Sequence, residues 1–405
     1  MLSRFGRGRI LRTIVAATSA AALLTTAACT IDNDGEDADS TSVEDAQDGG
    51  DSDSDGDSDD DDAVELTASV EDNDTEVKVD EPITVKDSEG IDSVKLTDGE
   101  GAEVEGSFND DKTEWTSDGK LNYATDYSLE ATGGDEDLST SFTTFSPAVL
   151  TNGALSPLDG STVGVGQSIS LQFDQIPEDR KAVEDAIKVT TEPKVEGAFY
   201  WVSAQEVRWR PEEYWKPGTE VSVDADLVGK DLGGMYGQVD RKASFTIGDD
   251  VRAVADDATK TVTVTRNGET IKTMPTSMGM PGYETPEGIF QIGDQQEALT
   301  MDSTTYGLAL DAGGYVTDVQ YATQMSYSGI YFHAAPWSVW AQGNTNTSHG
   351  CLNLSVEDAQ WVYENMKRGD IAEVKNTGGP AQTVTDGLGD WNIPWDEWKA
   401  GNADA

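Results

Sequence analysis

Reactive and basic side chains are scarce in this 405-residue chain, which has two cysteines and two histidines. Its 27 Lys and Arg residues face 77 Asp and Glu residues, for a formal net charge of −50. So acidic a chain is repelled by the phosphate backbone, which argues against nucleic acid as a partner. Only Cys351 lies in the same stretch as the two histidines, and these three side chains supply three zinc ligands at best, so a zinc site there would need water as its fourth ligand.

The scarce reactive residues are pooled in one stretch, HAAPWSVWAQGNTNTSHGCLN, which holds His333, His349 and Cys351. In extended backbone the side chains of His349 and Cys351, two positions apart, point to the same side. A neutral imidazole beside a thiol draws off its proton and stabilises the reactive thiolate. The stretch therefore predicts a cysteine nucleophile with a neighbouring histidine base; the alternative is a buried, inert thiol.

Residues 1–28 predict an export signal, with four arginines before an apolar Ala-rich segment too short to span a bilayer. The small residues before Cys29 resemble a bacterial lipoprotein signal, which implies cleavage before Cys29 and lipidation of its thiol. Because Thr26 stands where such signals usually carry an aliphatic residue, an ordinary secretory signal is the alternative. With Cys29 acylated, Cys351 has no disulfide partner and remains a free thiol. We therefore expect an exported lipoprotein, anchored to the cell membrane and facing the cell wall.

Residues 29–63 predict an acidic, disordered tether. Residues 31–62 contain 16 Asp or Glu and no Lys or Arg. A segment of this composition repels itself and buries too little apolar surface to order. As a flexible coil it would span roughly 30 Å, which suits a spacer. A binding patch for a metal or a cationic partner is the alternative, although the acids lack ligand spacing.

Residues 64–146 and 147–248 each predict an immunoglobulin-like β-sandwich, because short alternating apolar runs are separated by Gly, Asp and Asn clusters. The fold class is therefore mainly β: two tandem sandwiches followed by a β-rich third domain with one or two short helices. Trp201 and Trp209, at strand spacing, are expected in the core of the second sandwich; glycan binding by exposed aromatics is the alternative.

Residues 249–376 form the predicted third domain. Asn267-Gly268 predicts a hairpin turn, and the Gly-rich run from Met301 to Tyr315 predicts a mobile flap. A strand is expected from Tyr327 to His333. Ser355 is a helix N-cap, and a strand at 371–374 closes the domain. The helix is expected to end near Lys367. One of its faces is expected to carry Val356, Ala359, Tyr363 and Met366.

The reactive stretch resembles the motif of L,D-transpeptidase catalytic domains. His333 is followed by 14 residues, 334–347, and then by Ser348-His349-Gly350-Cys351-Leu352-Asn353. The Thr-Pro-x-Gly stretch at 285–288 also resembles the family. The whole arrangement is similar to the multi-domain L,D-transpeptidases of actinobacteria, over nearly the whole chain except the acidic tether.

The resemblance implies an enzyme without cofactor or metal that remodels peptidoglycan. Cys351 would attack a tetrapeptide stem at its third residue, a diamino acid, and release D-alanine. The side-chain amine of a second stem would resolve the thioester into a 3→3 cross-link. His349 would be the general base, oriented by the backbone carbonyl of Ala334. The amides of Gly350 and Cys351, with the Tyr315 hydroxyl, would bind the oxyanion.

Other residues receive supporting roles from the same resemblance. His333, Ser348 and Asn353 would position substrate or hold the loop. The flap and pocket wall would include Met301, Tyr306 and Trp337. A purely structural role for His333 or Asn353, and plain packing of Met301 and Trp337, are the alternatives.

Residues 377–405 form a tail with three of the ten tryptophans, at Trp391, Trp395 and Trp398. So many tryptophans predict that the tail packs back onto the folded domains. Two functions compete with the transpeptidase: an L,D-carboxypeptidase, in which water resolves the thioester, and a wall-binding lipoprotein that acts through its sandwiches. The sequence leaves the oligomeric state, the diamino acid accepted and its amidation open.

Overall fold

A computed structural model describes residues 65–404 of the chain. The predicted signal, the lipidation site Cys29 and the acidic tether lie outside these residues. The described chain is mainly β, which confirms the predicted fold class.

The first sandwich packs two sheets face to face, in the strand orders β1-β3-β7-β6 and β2-β9-β8-β4-β5. Its core is formed by alternate strand residues such as Leu96, Leu129 and Val85, whose sequence neighbours point to the other face and are exposed or half-buried. Its strands are β1 Thr67–Ala68, β2 Asp74–Val77, β3 Thr84–Lys86, β4 Ile91–Asp98, β5 Glu103–Val104, β6 Gly106–Phe108, β7 Glu114–Ser117, β8 Asp126–Gly133 and β9 Glu136–Thr144.

The second sandwich has the sheets β11-β13-β16-β15 and β12-β19-β17-β14, with β10 paired to β18. Trp201 and Trp209 are buried in its core, where Trp209 packs on Trp215. Its elements are β10 Leu150–Thr151, β11 Gly153–Ser156, β12 Thr162–Val163, β13 Ile169–Phe173, α1 Arg180–Asp185, β14 Ile187–Glu192, β15 Gly197–Trp201, β16 Glu206–Pro211, β17 Glu220–Ala225, β18 Tyr236–Gly237 and β19 Arg241–Ile247.

The third domain has a five-stranded sheet, β22-β21-β20-β28-β23, and a four-stranded sheet, β24-β25-β26-β27. Its strands are β20 Val251–Asp256, β21 Thr261–Arg266, β22 Glu269–Pro275, β23 Gly288–Gln291, β24 Gln295–Asp302, β25 Val316–Gln324, β26 Tyr331–Ala334, β27 Leu352–Leu354 and β28 Ile371–Lys375. Both sheets and the helix α2, Val356–Asn365, contribute to one apolar core. That shared core fixes β26, which contains His333, and β27, which begins directly after Cys351.

Local sequence signals explain several of these elements. Asn267 and Gly268 both have positive φ, as a two-residue hairpin turn requires. The Ser355 side chain caps α2 by accepting from the Asp358 amide. The buried face of α2 differs from the predicted one: Ala359, Val362 and Met366 are buried, whereas Val356 is exposed.

Two predicted segments have different bounds in the structure. The strand expected from Tyr327 begins only at Tyr331, because residues 327–330 turn and the Tyr327 amide bonds to the Asp386 carbonyl. Two short 3-10 turns, Ser303–Tyr306 and Leu310–Ala312, occupy the predicted flap between β24 and β25.

The C-terminal tail lies against the second sandwich. It carries 3-10 turns at Val384–Asp386 and Asp390–Asn392 and the helix α3, Trp395–Ala400. The Trp398 side chain is fully buried and donates to the Ala198 carbonyl at 2.9 Å, and its ring stacks on Tyr200. The Arg210 guanidinium lies over the rings of Trp391, Trp395 and Trp398, at 4.3–5.4 Å from their centroids.

A buried polar network joins the second sandwich, the third domain and the tail. The Arg208 guanidinium bonds to Asp390 of the tail at 2.6 Å and to Glu206 at 2.7 Å. Gln291 of the third domain donates to the same Asp390 carboxylate at 3.0 Å. Because these partners are buried and mutually bonded, the network holds the third domain in one orientation on the second sandwich.

Candidate active site

Parallel pairing of β26 and β27 brings the reactive residues to one face of the four-stranded sheet. His333 pairs with Asn353, and Phe332 and Ala334 pair with the residues on either side. Since paired residues in a parallel ladder point to the same face, and alternate residues share it, Cys351 and His333 lie on that face together. The pairing therefore joins two residues that are 18 positions apart in sequence.

The loop before Cys351 is held by the segment that follows β22. The Ser277 and Asn353 backbones bond to each other in both directions, at 2.9 and 3.1 Å. The buried Thr285 hydroxyl donates to the Gly350 carbonyl at 2.7 Å and accepts from the Gly279 amide at 3.0 Å. Thr285 is thus a brace for the nucleophile loop. The sequence marked it only as part of the Thr-Pro-x-Gly resemblance.

Ser348 closes the loop on itself. Its hydroxyl donates to the Cys351 carbonyl at 2.7 Å and accepts from the Gly350 amide at 3.1 Å. The Gly350 amide, expected to bind the oxyanion, is therefore bonded to Ser348 within the loop in this structure. Gly350 has φ +122° and a Cβ there would lie 2.8 Å from Ile330, so the turn requires glycine.

The Cys351 thiol is free and buried. Burial raises the pKa of Cys351 to about 12, although the Tyr331 amide donates toward the sulfur and opposes the shift. The thiol lies 3.2 Å from the Gly329 carbonyl, to which it donates. The sulfur is consequently protonated at rest, and its activation requires a base.

His333 is buried and held in a defined tautomer. Its Nδ1 lies 3.0 Å from the Ala334 carbonyl, which can only accept, so Nδ1 carries the proton and Nε2 does not. Burial lowers the pKa of His333, which keeps the ring neutral. The Ala334 carbonyl, expected to orient His349, orients His333 instead, and this corrects the expectation from the motif.

His349 has an aromatic environment. Its ring lies 4.6 Å from that of Tyr283 and 5.0 Å from that of Tyr315. Within residues 65–404, no hydrogen bond to a ring nitrogen of His349 is found that would fix its tautomer. Tyr283 carried no sequence signal, because it reaches His349 only through the fold of the 280–285 loop. The two histidines therefore differ: His333 is buried and hydrogen-bonded, whereas the His349 ring meets Tyr283 edge-on and lies tilted against Tyr315.

The reactive groups line one cavity of about 200 Å³. Cys351, His333 and His349 share it with eight residues, namely Met301, Tyr315, Thr317, Val319, Trp337, Thr347, Ser348 and Asn353. Thr317, Val319 and Thr347 carried no signal of their own in the sequence; Thr317 and Val319 reach the cavity because they alternate along β25, directly after Tyr315. Tyr306 does not line this cavity: its ring covers Gly329 and its side chain bonds Tyr331. Ala334 lines an adjoining groove.

Two polar side chains at the cavity have distinct surroundings. Burial and the neighbouring Cys351 raise the pKa of Tyr315, so its hydroxyl remains a hydrogen-bond donor. The Asn353 amide donates to the Ser338 hydroxyl at 3.1 Å and so ties β27 to the 3-10 turn Pro336–Ser338. The Trp337 ring lies 6.1 Å from the His333 ring and is half exposed.

Residues 65–404 contain no group of three or more His, Cys, Asp or Glu side chains placed to hold a metal ion. Over the same range, none of the helices is long and apolar enough to cross a membrane.

Two protein families match the chain. Residues 250–374 match the L,D-transpeptidase catalytic domain, and residues 74–231 match a bacterial Ig domain. The second match extends from the first sandwich into the second.

Relatives from Mycobacterium tuberculosis share much of the chain. L,D-transpeptidase 2 of strain CDC 1551 / Oshkosh is 51% identical over 347 residues, which cover 84% of this chain and 85% of that protein. L,D-transpeptidase 1 of strain ATCC 25618 / H37Rv is 39% identical over 222 residues, 55% of this chain and 83% of that protein. The structure of LD transpeptidase LdtMt1 in complex with imipenem is 39% identical and covers 55% of this chain and 97% of its own, with a TM-score of 0.48.

Proposed function

The chain belongs to the L,D-transpeptidase family, and from this premise we propose that it forms 3→3 cross-links between peptidoglycan stem peptides through a thioester on Cys351. The observation that carries the proposal is the placement of Cys351 and His333 on one cavity, with the His333 Nδ1 atom 3.0 Å from the Ala334 carbonyl oxygen. This arrangement supplies a nucleophile, a base with a free Nε2 and a group that orients the base.

In the acylation step His333 takes the proton of the Cys351 thiol through Nε2. The sulfur attacks the carbonyl carbon of the third stem residue and forms a tetrahedral oxyanion. We assign its stabilisation to the Cys351 amide and the Tyr315 hydroxyl, since the Gly350 amide is occupied by Ser348. The C–N bond to D-alanine then breaks, and its amine leaves with the proton from His333.

In the second step the side-chain amine of an acceptor stem attacks the thioester carbon. A new C–N bond forms, the C–S bond breaks, and the electron pair returns to sulfur. His333 takes the proton lost by the amine and delivers it to the thiolate, which restores the resting thiol. The buried position of the thioester, beside Met301 and Val319, limits the access of competing water.

We assign His349 to substrate positioning. Its ring lies between Tyr283, which it meets edge-on, and Tyr315, against which it is tilted, and this half-buried imidazole at the cavity suits contact with a substrate group. Met301, Trp337 and Asn353 form the walls that orient the stem. Ser348 and Gly350 shape the loop that presents the thiol.

We also propose that the enzyme is exported and anchored to the cell membrane through lipid on Cys29. Support comes from the arginine-rich, Ala-rich segment before Cys29 and the acidic stretch after it. Cells expressing Cys29→Ala should release the protein from the membrane fraction, and metabolic labelling with a fatty acid should mark only the wild-type protein. An unchanged membrane fraction without label would contradict the anchor.

A two-product assay tests the enzymatic proposal. The protein is incubated with a tetrapeptide stem that carries the side-chain amine, and cross-linked dimer and free D-alanine are followed by mass spectrometry. Dimer formation that is absent from Cys351→Ala supports the transpeptidase. D-alanine released without dimer would identify an L,D-carboxypeptidase. Wall cross-linking that survives Cys351→Ala would favour a wall-binding lipoprotein.

A carbapenem provides an independent probe of the nucleophile. A relative was solved in complex with imipenem, so we expect imipenem to acylate Cys351 of this chain. Intact-protein and peptide mass spectrometry should locate one adduct on the Cys351 peptide. An adduct at another residue, or none, would contradict the assignment of the nucleophile.

A further inference from the structure

A second cavity of about 530 Å³ adjoins the one that holds Cys351. It lies between the β24–β25 hairpin and the end of β26. The hairpin pairs with β26 only at Thr323 and Gln324, so its outer part separates from the sheet. The walls of this groove, which we call the hairpin groove, are Ala298, Leu299, Thr300, Asp318, Val319, Gln320, Ala334, Pro336 and Trp337.

Two side chains are shared by the hairpin groove and the cavity of Cys351. Val319 and Trp337 line both. The Trp337 ring is 6.1 Å from the His333 ring, so the shared wall contacts the group assigned as base. Ala334, whose carbonyl orients His333, also lines the groove. A molecule held in the groove thus lies beside the reacting centre and leaves the cavity itself free for the acyl group.

The groove has one ionisable side chain among its walls, the exposed Asp318. The Thr300 hydroxyl, on the strand paired with Asp318, donates to one of its carboxylate oxygens at 2.6 Å. This bond orients the carboxylate and leaves the second oxygen available. The groove therefore carries a single oriented negative charge and no cation in its walls, which favours a ligand with a positively charged group.

We propose that the hairpin groove captures the acceptor stem and that Asp318 recruits the ammonium group of its diamino acid. The inference rests on the proposed function, in which the reaction needs a second peptide with a side-chain amine. At neutral pH this amine is an ammonium, the charge that complements Asp318. After capture the amine gives up one proton to water and moves past Trp337 to the thioester, where the steps described above follow. Asp318 acts before the chemistry and is a specificity residue.

The test separates acceptor capture from donor acylation. In Asp318→Asn the negative charge is lost while the Thr300 bond can persist. We expect the KM for the acceptor in dimer formation to rise about two- to fivefold, as loss of an exposed ion pair would give. The rate of D-alanine release in the acylation burst should not change. Because the charge is exposed, the difference in KM should shrink in high salt.

Glu297→Gln is the matched control, since Glu297 is an exposed carboxylate on the same hairpin and lines neither cavity. A second control replaces the cationic acceptor by hydroxylamine, which is uncharged at neutral pH. Aminolysis by hydroxylamine should be equal in wild type and Asp318→Asn. Thermal unfolding of each variant checks that the hairpin is intact.

Three outcomes would overturn the inference. If the KM for the acceptor were the same in Asp318→Asn and Glu297→Gln, Asp318 would have no role in acceptor capture. A slower acylation burst in Asp318→Asn would assign the groove to the donor stem. Both results leave the transpeptidase standing, because wild-type protein still forms dimer. Wild-type protein that releases D-alanine without dimer would instead overturn the proposed function and the acceptor site with it.

Discussion

Burial keeps the two reactive side chains of the site uncharged at rest. It raises the pKa of Cys351 to about 12 and lowers that of His333. A preformed thiolate–imidazolium pair would have to be desolvated in this cavity, whereas a neutral pair transfers its proton only when the substrate arrives. The third group is the neutral Ala334 carbonyl, which orients His333 without adding charge. Cys351, His333 and the Ala334 carbonyl are therefore all uncharged before the substrate binds.

Substitution of each histidine in turn separates base from positioning residue. We expect His333→Gln to slow acylation of Cys351 by about 10²–10⁴-fold, the usual contribution of a general base. His349→Gln should raise KM for the donor and retain most of kcat, because His349 contacts substrate only. Stopped-flow acylation with a tetrapeptide donor measures both parameters. The reverse pattern, with kcat lost mainly in His349→Gln, would return the base to His349.

The pH profile provides a second discriminator at the residue scale. The ordinary pKa of histidine is 6.5, and burial lowers that of His333 below this value. Since the base must be neutral, acylation is lost only as the pH falls through the lowered pKa. We expect kcat/KM for acylation to stay level down to pH 6.5 and to decrease below it. An acidic limb centred at or above the ordinary value would exclude His333 as the base.

Contacts with neighbouring segments hold the nucleophile loop in place. Its residues, 347–351, lie outside β27, and they are held by Ser277, by the Gly279–Ser348 bridge and by Thr285. Thr285 joins two backbone groups that are buried and would otherwise lack partners. The hydroxyl of one side chain thus couples the 276–285 segment to the loop that carries Cys351.

Removal of that hydroxyl should affect both stability and acylation. Thr285→Val preserves the size of the side chain but leaves the Gly279 amide and the Gly350 carbonyl unpaired. We expect a loss of about 1–3 kcal/mol in the free energy of unfolding. Acylation by imipenem should also slow, because the loop is released. Urea unfolding and intact mass spectrometry measure the two effects. Thr285→Ser retains the hydroxyl and should restore the rate of acylation. Equal acylation rates in Thr285→Val and wild type would contradict the role of Thr285 in holding the nucleophile loop.

At the scale of domains, the C-terminal tail joins the second sandwich to the third domain. Trp391 donates to the Gly166 carbonyl and Asn392 bonds the Ile289 backbone, so the tail contacts the second sandwich and the third domain at once. Gly164 and Gly166 have no room for a side chain, because a Cβ at Gly164 would collide with the Asp370 backbone nitrogen and one at Gly166 would collide with the Ile371 Cδ1. The close approach and the tail together fix one orientation between the two domains.

A tryptophan pair tests the contribution of the tail. Trp398 is fully buried under Arg210, whereas Trp340 is 70% exposed. Trp398→Ala should lower the free energy of unfolding by about 3–5 kcal/mol, as truncation of a buried aromatic does. Trp340→Ala should change it by less than about 0.5 kcal/mol. Denaturant unfolding of the two variants measures the difference. Similar values for both would show that the tail adds little to stability.

Part of this architecture is predictable from local pattern. The mainly β class follows from short alternating runs, and the start of α2 follows from Ser355, whose side chain caps the helix. The strand at 371–374 was expected from its apolar run and pairs in parallel with β20. The ends of β26 and the buried face of α2 were not predictable, because they depend on which neighbours cover Tyr327, Val356 and Val362.

The sequence alone indicated the family, predicted Cys351 as the nucleophile and limited the base to two histidines, because the spacing from His333 to Asn353 is a chemical pattern that needs no coordinates. Tertiary structure decided which histidine is suited to act as base. The sequence argument placed His349 beside Cys351 on an extended backbone, but the chain turns at Gly350, with φ +122°. Parallel pairing of β26 with β27 instead puts His333 and Cys351 on one face, since strand partners depend on contacts far apart in the chain.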